Sequence, residues 1–299
     1  MGKKLILLLA VLLALCVGAA AEDAPLLVDR INHPEAAFSF APEAELLEIV
    51  FPQELNVDSA VIRCGGQVML IDCASRAMAP RMVNLLEQLG VTEVDFAAVS
   101  HPHYDHLEGL EQIAQAVTIH ELRVGHPADE NEQMEKALRV CERYGIPVTW
   151  YSDADTWQLG AARIDVWLKG DDAWGLNDRS AVMRLQFGER TALFCADAEN
   201  RLQRRLAEVI PPELLDVDVM KYPHHGKTAL LWGFYQATTP VFAVITNNNS
   251  RSALESRTFL DKNGVPWAIT VPGYVRLRTD GTTWLADRLE MDKPIVVNK

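Results

Sequence analysis

Ser100-His101-Pro102-His103-Tyr104-Asp105-His106-Leu107-Glu108-Gly109 places three of the chain's eight histidines and an aspartate within six positions. Imidazole and carboxylate are the ligands that a borderline divalent cation prefers. Alternate spacing lets His101 and His103 point one way and leaves Asp105 and His106 to a neighbouring position, which suits two ions better than one. Two divalent ions about 3.5–4 Å apart would lower the pKa of a bridging water toward neutrality and supply hydroxide. That nucleophile could attack phosphorus or a carbonyl carbon. A polar loop that is merely histidine-rich is the plain alternative, and the motif weighs against it.

A strand must deliver such a loop. Val94 to Val99 is an apolar run short enough for a buried strand, and the apolar residues at 107, 110, 113, 114 and 117 recur at helical spacing. The loop therefore sits at a strand's C-terminal end, where α/β folds place their chemistry. Two further strand ends carry matching residue types. Asp197 follows Leu193-Phe194-Cys195-Ala196, and His224-His225-Gly226 follows a strand expected over 215–222. Alone, Asp197 reads as a helix N-cap. Beside the 101–106 cluster it becomes the natural carboxylate to bridge two ions.

The remaining elements set the architecture. Strands are expected over 46–51, 59–63 and 67–72, with a tight turn at Gly65-Gly66. Helix 77–89 stops at Gly90, strand 118–124 follows the metal loop, and Pro127 opens a helix that runs to Tyr144 and ends at Gly145. Strands 147–151, 155–159 and 162–168 come next, then a hairpin of 180–187 and 191–196. Helix 199–209 is broken by Pro211-Pro212. Strand 241–246, helix 253–263, strand 265–271 and a hairpin of 273–279 and 283–288 complete the chain. Two strand-rich blocks, each followed by helices, predict an α/β fold with two sheets face to face and helices outside: a four-layer αββα sandwich.

Residues 1–21 read as a secretory signal, with Lys3-Lys4, an apolar stretch from Leu5 to Val17 and the small residues Ala19-Ala20-Ala21. Leu15 before Cys16 is bulky for lipoprotein processing, so ordinary cleavage is expected; a retained N-terminal anchor is the alternative. Export to the periplasm or the extracellular space follows. Residues 22–45 read as a lead-in and 46–299 as one hydrolase-sized domain. The formal net charge is −13, and loss of Lys3 and Lys4 makes it more negative. That surface disfavours strong binding of duplex nucleic acid. Cys64, Cys73, Cys141 and Cys195 lie in no C-x-x-C arrangement, which argues against a cysteine zinc site, and their disulfide state stays open.

The H-x-H-x-D-H run resembles the signature of the metallo-β-lactamase-fold hydrolases. The order of Leu70-Ile71-Asp72, Ser100 to Gly109, Asn177-x-x-Ser180, Ala196-Asp197-Ala198-Glu199 and Lys221-x-Pro223-His224-His225-Gly226 resembles one branch of them. That branch holds the hydrolase domain of ComEC-type DNA-uptake proteins and secreted phosphorylcholine esterases, and the resemblance spans about residues 46–290. It implies that His101, His103, Asp105, His106, Asp197 and His225 are metal ligands, with zinc the expected ion and manganese the alternative. His101, His103 and Asp197 would serve a first ion; Asp105, His106, Asp197 and His225 a second. Asp105 counts among the catalytic residues, and His224 becomes a general acid, although the roles of the two neighbouring histidines are exchangeable. Asp72 would steady the metal loop, or else cap a helix. Asn177 and Ser180 would border the ligands or the substrate. Apart from the resemblance, Gly226-Lys227-Thr228 reads as opening a helix whose N–H groups, with the Lys227 charge, suit a phosphate, and a plain solvated Lys227 is the alternative.

The resemblance has gaps. Pro52 to Asp58 replaces a glycine-rich turn, Lys227 replaces a small hydroxyl residue, a late Gly-His-Pro is missing, and no histidine stands at the wider family's middle ligand. His120 and His126 come too early for it. The expected activity is hydrolysis of a phosphodiester-type bond in a small-molecule or cell-envelope substrate. A hydrolase of β-lactams, lactones or thioesters is the alternative, and a non-catalytic domain binding cell-wall or nucleic-acid ligands is a third reading.

Overall fold

The computed structural model describes residues 25–248 and 251–290. The signal sequence expected over 1–21 lies outside the described residues. A nine-stranded sheet runs from edge to edge through Leu27–Asp29, Trp284–Arg288, Val275–Thr279, Leu47–Phe51, Ser59–Cys64, Gln67–Cys73, Phe96–Val99, Leu122–Val124 and Val148–Trp150. A seven-stranded sheet runs through Thr156–Leu159, Ala162–Trp167, Val182–Phe187, Arg190–Phe194, Val219–Lys221, Phe242–Ile245 and Trp267–Ile269.

The period-two pattern of the strands separates three apolar layers. Leu47, Ile49 and Phe51 face the seven-stranded sheet and pack with Ile164, Val166, Leu185 and Phe194. Val50, Val61 and Leu70 face the other way, onto Met82, Leu85, Ile113 and Met134 of the helices over the first sheet. Val182, Leu193 and Met220 turn outward onto Leu202, Leu206, Phe234 and Leu260 of the helices over the second. Helix, sheet, sheet, helix is the αββα sandwich expected.

Several boundaries differ from those expected, each for a local reason. The segment read as a lead-in supplies an edge strand, Leu27–Asp29, parallel to Trp284–Ala286. The last hairpin returns to the first sheet, pairing Val275–Thr279 with Leu47–Phe51. The helix expected from Pro127 begins at Glu132, where the Asn131 side chain accepts the Met134 N–H at 2.9 Å and makes the stronger cap. Strand 118–124 is split: Thr118–Ile119 pairs with Glu93–Val94 in a separate ribbon, and only Leu122–Val124 joins the large sheet. The strand expected over 215–222 is only Val219–Lys221, because Pro212–Leu215 forms a helical turn.

Candidate metal centre

The residues singled out from the sequence leave their strands at one edge of the sandwich. Phe96–Val99 delivers Ser100 to His106, Arg190–Phe194 delivers Asp197, and Val219–Lys221 delivers His224 and His225. Asp72 lies near the end of Gln67–Cys73, and Asp58 just before Ser59–Cys64. Asp72, Ala74, Ala196, His224 and His225 all have left-handed backbone, with φ of 62°, 59°, 46°, 48° and 52°. Such strain costs on the order of 1–3 kcal/mol per residue and persists only where surroundings enforce it.

After the metal loop the chain forms a short helix, Tyr104–Leu107, and then a second, Leu110–Ala116, instead of one helix over 107–117. Gly109 marks the break because the backbone there nearly touches the neighbouring strand end. A Cβ at Gly109 would lie 2.1 Å from the Cys73 carbonyl oxygen, and its N–H donates to the Ala74 carbonyl at 3.1 Å. Gly109→Ala should therefore destabilise the fold by about 1–3 kcal/mol or more. Denaturant unfolding checks this; an unchanged midpoint would contradict the packing argument.

Asp197 stands at the middle of the cluster. Its Oδ1 lies 3.3 Å from both His106 Nε2 and His225 Nε2, and its Oδ2 lies 3.9 Å from His101 Nε2. The His101 and His103 rings meet at 2.9 Å through Nε2 and Nδ1, and Asp105 Oδ2 is 3.4 Å from His225 Nε2. Asp197 caps no helix: the next helix starts at Asn200 with Glu199 at its cap position. Two groups of ligand atoms fall close enough to share an ion: His101, His103 and Asp197; and Asp58, His106, Asp197 and His225.

A family model described as the metallo-β-lactamase superfamily matches residues 52–256, well over half of the chain. The chain belongs to that superfamily. Among curated proteins none matches it in sequence. Among solved structures it is similar to a variant of the β-hydroxylase CmlA at 16% identity and a TM-score of 0.52, covering 81% of this chain and 55% of that one. It is also similar to the metallo-β-lactamase-fold protein YhfI from Bacillus subtilis at 14% identity and a TM-score of 0.50, covering 74% of this chain and 96% of that one. CmlA of Streptomyces venezuelae, a diiron β-hydroxylase, aligns at 18% identity with a TM-score of 0.47 over 84% of this chain and 55% of its own. The chain thus spans little more than half the length of the hydroxylase, and these likenesses concern the fold.

The residues of this metallo-β-lactamase-superfamily chain fit divalent ions on their own evidence. His106 Nε2, His225 Nε2 and Asp197 Oδ1 are buried, converge on one another, and satisfy no hydrogen bond. Buried polar atoms are seldom left so, and imidazole with carboxylate is a donor set that a divalent ion satisfies. The opposite ring nitrogens are already held. His106 Nδ1 meets Asp72 Oδ2 at 2.8 Å, and His225 Nδ1 meets Asp58 Oδ1 at 3.0 Å. A carboxylate behind an imidazole fixes which nitrogen faces an ion. Asp72 also accepts the Ser100 N–H at 2.7 Å and the Ser100 hydroxyl at 2.8 Å. The helix it might have capped begins only at Ala79, so its carboxylate serves the metal loop.

Asp58 was not singled out from the sequence, and it falls in the second group of ligand atoms, where Asp105 was expected. Its oxygens are already engaged: Oδ1 accepts from the Thr246 hydroxyl at 2.6 Å and faces His225, and Oδ2 pairs with the Lys221 ammonium. Asp105, by contrast, directs its carboxylate at His225 Nε2. Asp58 is held in place by the Pro52–Asp58 loop. There buried Glu54 accepts the Ser59 N–H and hydroxyl, both at 2.8 Å, in place of a glycine-rich turn.

The other predicted residues are placed differently from one another. Asn177 donates to Glu199 Oε1 at 2.8 Å, and Ser180 uses its hydroxyl inside its own turn, donating to the Asn177 carbonyl at 2.7 Å. Thr228 Oγ1 lies 2.9 Å from His224 Nδ1, and Lys227 is exposed. No helix opens at Gly226: His224, His225 and Gly226 all have positive φ and make a sharp turn, and the next helix starts at Trp232. The expected helix N-terminus for a phosphate is therefore not present there. His120 is exposed and paired with Glu93, while His126 is buried beside Glu130. All four described cysteines are free and buried, and burial pushes the Cys141 thiol up to about 11 and Cys195 to about 12.

Electrostatics make the site ready for cations. Burial alone would lower the His225 pKa, but the carboxylates of Asp197 and Asp58 outweigh it and raise it to about 10. Burial is likewise outweighed at His106, where Asp197 and Asp72 hold the imidazole well above its usual value. Burial and the neighbouring His106 keep His101 well below it. An ion binds the neutral imidazole, so ions entering must displace the protons of His106 and His225. Apparent affinity should rise with pH through neutrality and keep rising above the ordinary histidine range of about 6.5. Competition with a chromophoric chelator measures it; affinity that is flat above about pH 7 would contradict the sign.

Proposed function

We propose that this protein is an exported metal-dependent hydrolase that cleaves phosphodiester-type bonds with two divalent ions, zinc or manganese, in the 101–225 cluster. The carrying observation is the convergence of unsatisfied His106 Nε2, His225 Nε2 and Asp197 Oδ1. Two ions there would supply Lewis acidity and a water of near-neutral pKa. His101, His103 and Asp197 would hold the first position with three protein ligands, which would leave room for a substrate oxygen. Asp105, whose Oδ2 lies 3.4 Å from His225 Nε2, would hold the second with His106, Asp197 and His225. Asp72 and Asp58 fix the imidazoles from behind, so the ligands need not reorganise during reaction. His224 lies beside Asp197, with Nε2 3.5 Å from Oδ2, and can hold a proton toward a leaving group.

Phosphodiester chemistry is supported by the order of motifs, which resembles that of the ComEC-type and phosphorylcholine-esterase branch. Surface charge narrows the substrate, since a chain of net charge −13 repels a polyanion outside the metal cleft. Small phosphodiesters or cell-envelope groups should turn over faster than duplex DNA. A screen of the zinc- and manganese-loaded protein against bis-p-nitrophenyl phosphate, p-nitrophenyl phosphorylcholine, duplex DNA and nitrocefin tests this. Turnover of nitrocefin alone would favour carbonyl substrates. A tight, salt-sensitive complex with duplex DNA would point to a nuclease.

A further inference from the structure

Lys221 is a buried lysine that the metal chemistry does not use. Its side chain is 3% exposed, and its ammonium makes two contacts: the Asp58 carboxylate, and the Ala196 carbonyl at 2.9 Å. Each contact leads to a different ligand. Asp58 faces His225 Nδ1 at 3.0 Å and draws Thr246 into the same network. Ala196 carries the strained backbone, φ 46°, that immediately precedes Asp197, and its carbonyl also accepts the His224 N–H at 2.9 Å. Behind the pair lies a cavity of about 10 Å³, lined in part by Asp58, Asp72 and Ser100. That is room for at most one water beside the pair, so the ammonium is held by protein partners and not by bulk solvent.

We infer that Lys221 and Asp58 form a two-armed positioning strut: Asp58 sets the His225 ring for the second ion, and Lys221 sets the Asp197 loop that serves both. The inference rests on the metal-hydrolase reading. Asp58 is assigned to the support of His225 because its oxygens face the Thr246 hydroxyl, the Lys221 ammonium and His225 Nδ1, and Lys221 can only donate. An acid behind a ligating imidazole typically sets metal affinity by 10–100-fold. A second arm through a peptide carbonyl gives the two residues separable effects.

The test uses the full chain with Asp58→Asn, Lys221→Met and the double variant. Stepwise zinc dissociation constants, metal content and the visible absorption of the cobalt-loaded protein are the readings. Asp58→Asn should weaken the second ion by about 10–100-fold and alter its cobalt spectrum, with the first ion retained. Lys221→Met should weaken both. A buried charge without its partner threatens folding, so the double variant, which removes both charges, keeps the experiment decisive. It should melt closer to the unmodified protein than either single variant while still binding both ions weakly. Unchanged affinities and spectra in Asp58→Asn would overturn the strut and leave the metal reading standing. Equal weakening of both ions in Asp58→Asn would overturn the separate arms. An unmodified protein that takes up no zinc, manganese or cobalt would overturn strut and metal reading together.

Discussion

Asp197→Asn should empty both ion positions and lower phosphodiester hydrolysis by at least about 10³-fold. The substitution keeps the shape of the side chain and removes its charge. Asp197 is almost fully buried and, among the described residues, is the one carboxylate whose oxygens face His101, His106, His224 and His225 together. The imidazoles of His106 and His225 hold its pKa well below the carboxylate range against the effect of burial, so its charge is present at neutral pH. An amide offers an ion a neutral oxygen and turns an NH₂ group toward the histidines. Asp72→Asn is the informative comparison, because Asp72 reaches the cluster only through His106 and Ser100. It should weaken binding by about 10–100-fold without emptying both positions. Metal analysis after dialysis separates the two cases. Two tightly held ions in Asp197→Asn would remove Asp197 from the centre of the site.

What could be read from the sequence followed the range of each physical signal. Leu47–Phe51 and Gln67–Cys73 are legible as strand-sized apolar runs, but both of their faces are buried, so the sandwich is read from the order of strand-rich blocks and from the resemblance of the motifs more than from periodicity. Histidine spacing at 101–106 is a local signal that needs no knowledge of the fold. Asp58 lacked any local mark: it is a lone aspartate in a loop, and its partners Lys221, His225 and Thr246 lie 163 to 188 residues away. Only strand order brings them together. Lys221, in turn, ends an apolar strand, and the sequence marks it only as the first residue of the Lys-x-Pro-His-His-Gly motif. The Gly226-Lys227-Thr228 helix failed for a related reason. Left-handed backbone at His224 and His225, followed by Gly226 at φ 80°, turns the chain sharply where a helix N-terminus was expected.

The neighbouring histidines should respond in opposite ways. His225 is fully buried, with Nε2 facing Asp105 and Asp197 and Nδ1 backed by Asp58. His225→Ala should therefore lower metal content together with rate, since the second position loses an imidazole. His224 is half-buried. Its Nε2 stands 3.5 Å from Asp197 Oδ2, and its Nδ1 lies near Thr228 Oγ1 and Glu199 Oε1. Burial outweighs the pull of Asp197 and leaves its pKa below the usual value, so the ring is mainly neutral at neutral pH and its action as an acid should grow as the pH falls. His224→Ala should keep both ions and lose about 10²–10⁴-fold in rate on substrates with poor leaving groups. On p-nitrophenyl esters the loss should shrink, because p-nitrophenolate departs without protonation. Metal analysis and two leaving groups per variant suffice. Metal loss in His224→Ala with full occupancy in His225→Ala would exchange the two roles, and it would also place the ligand on the ring that Asp58 does not support.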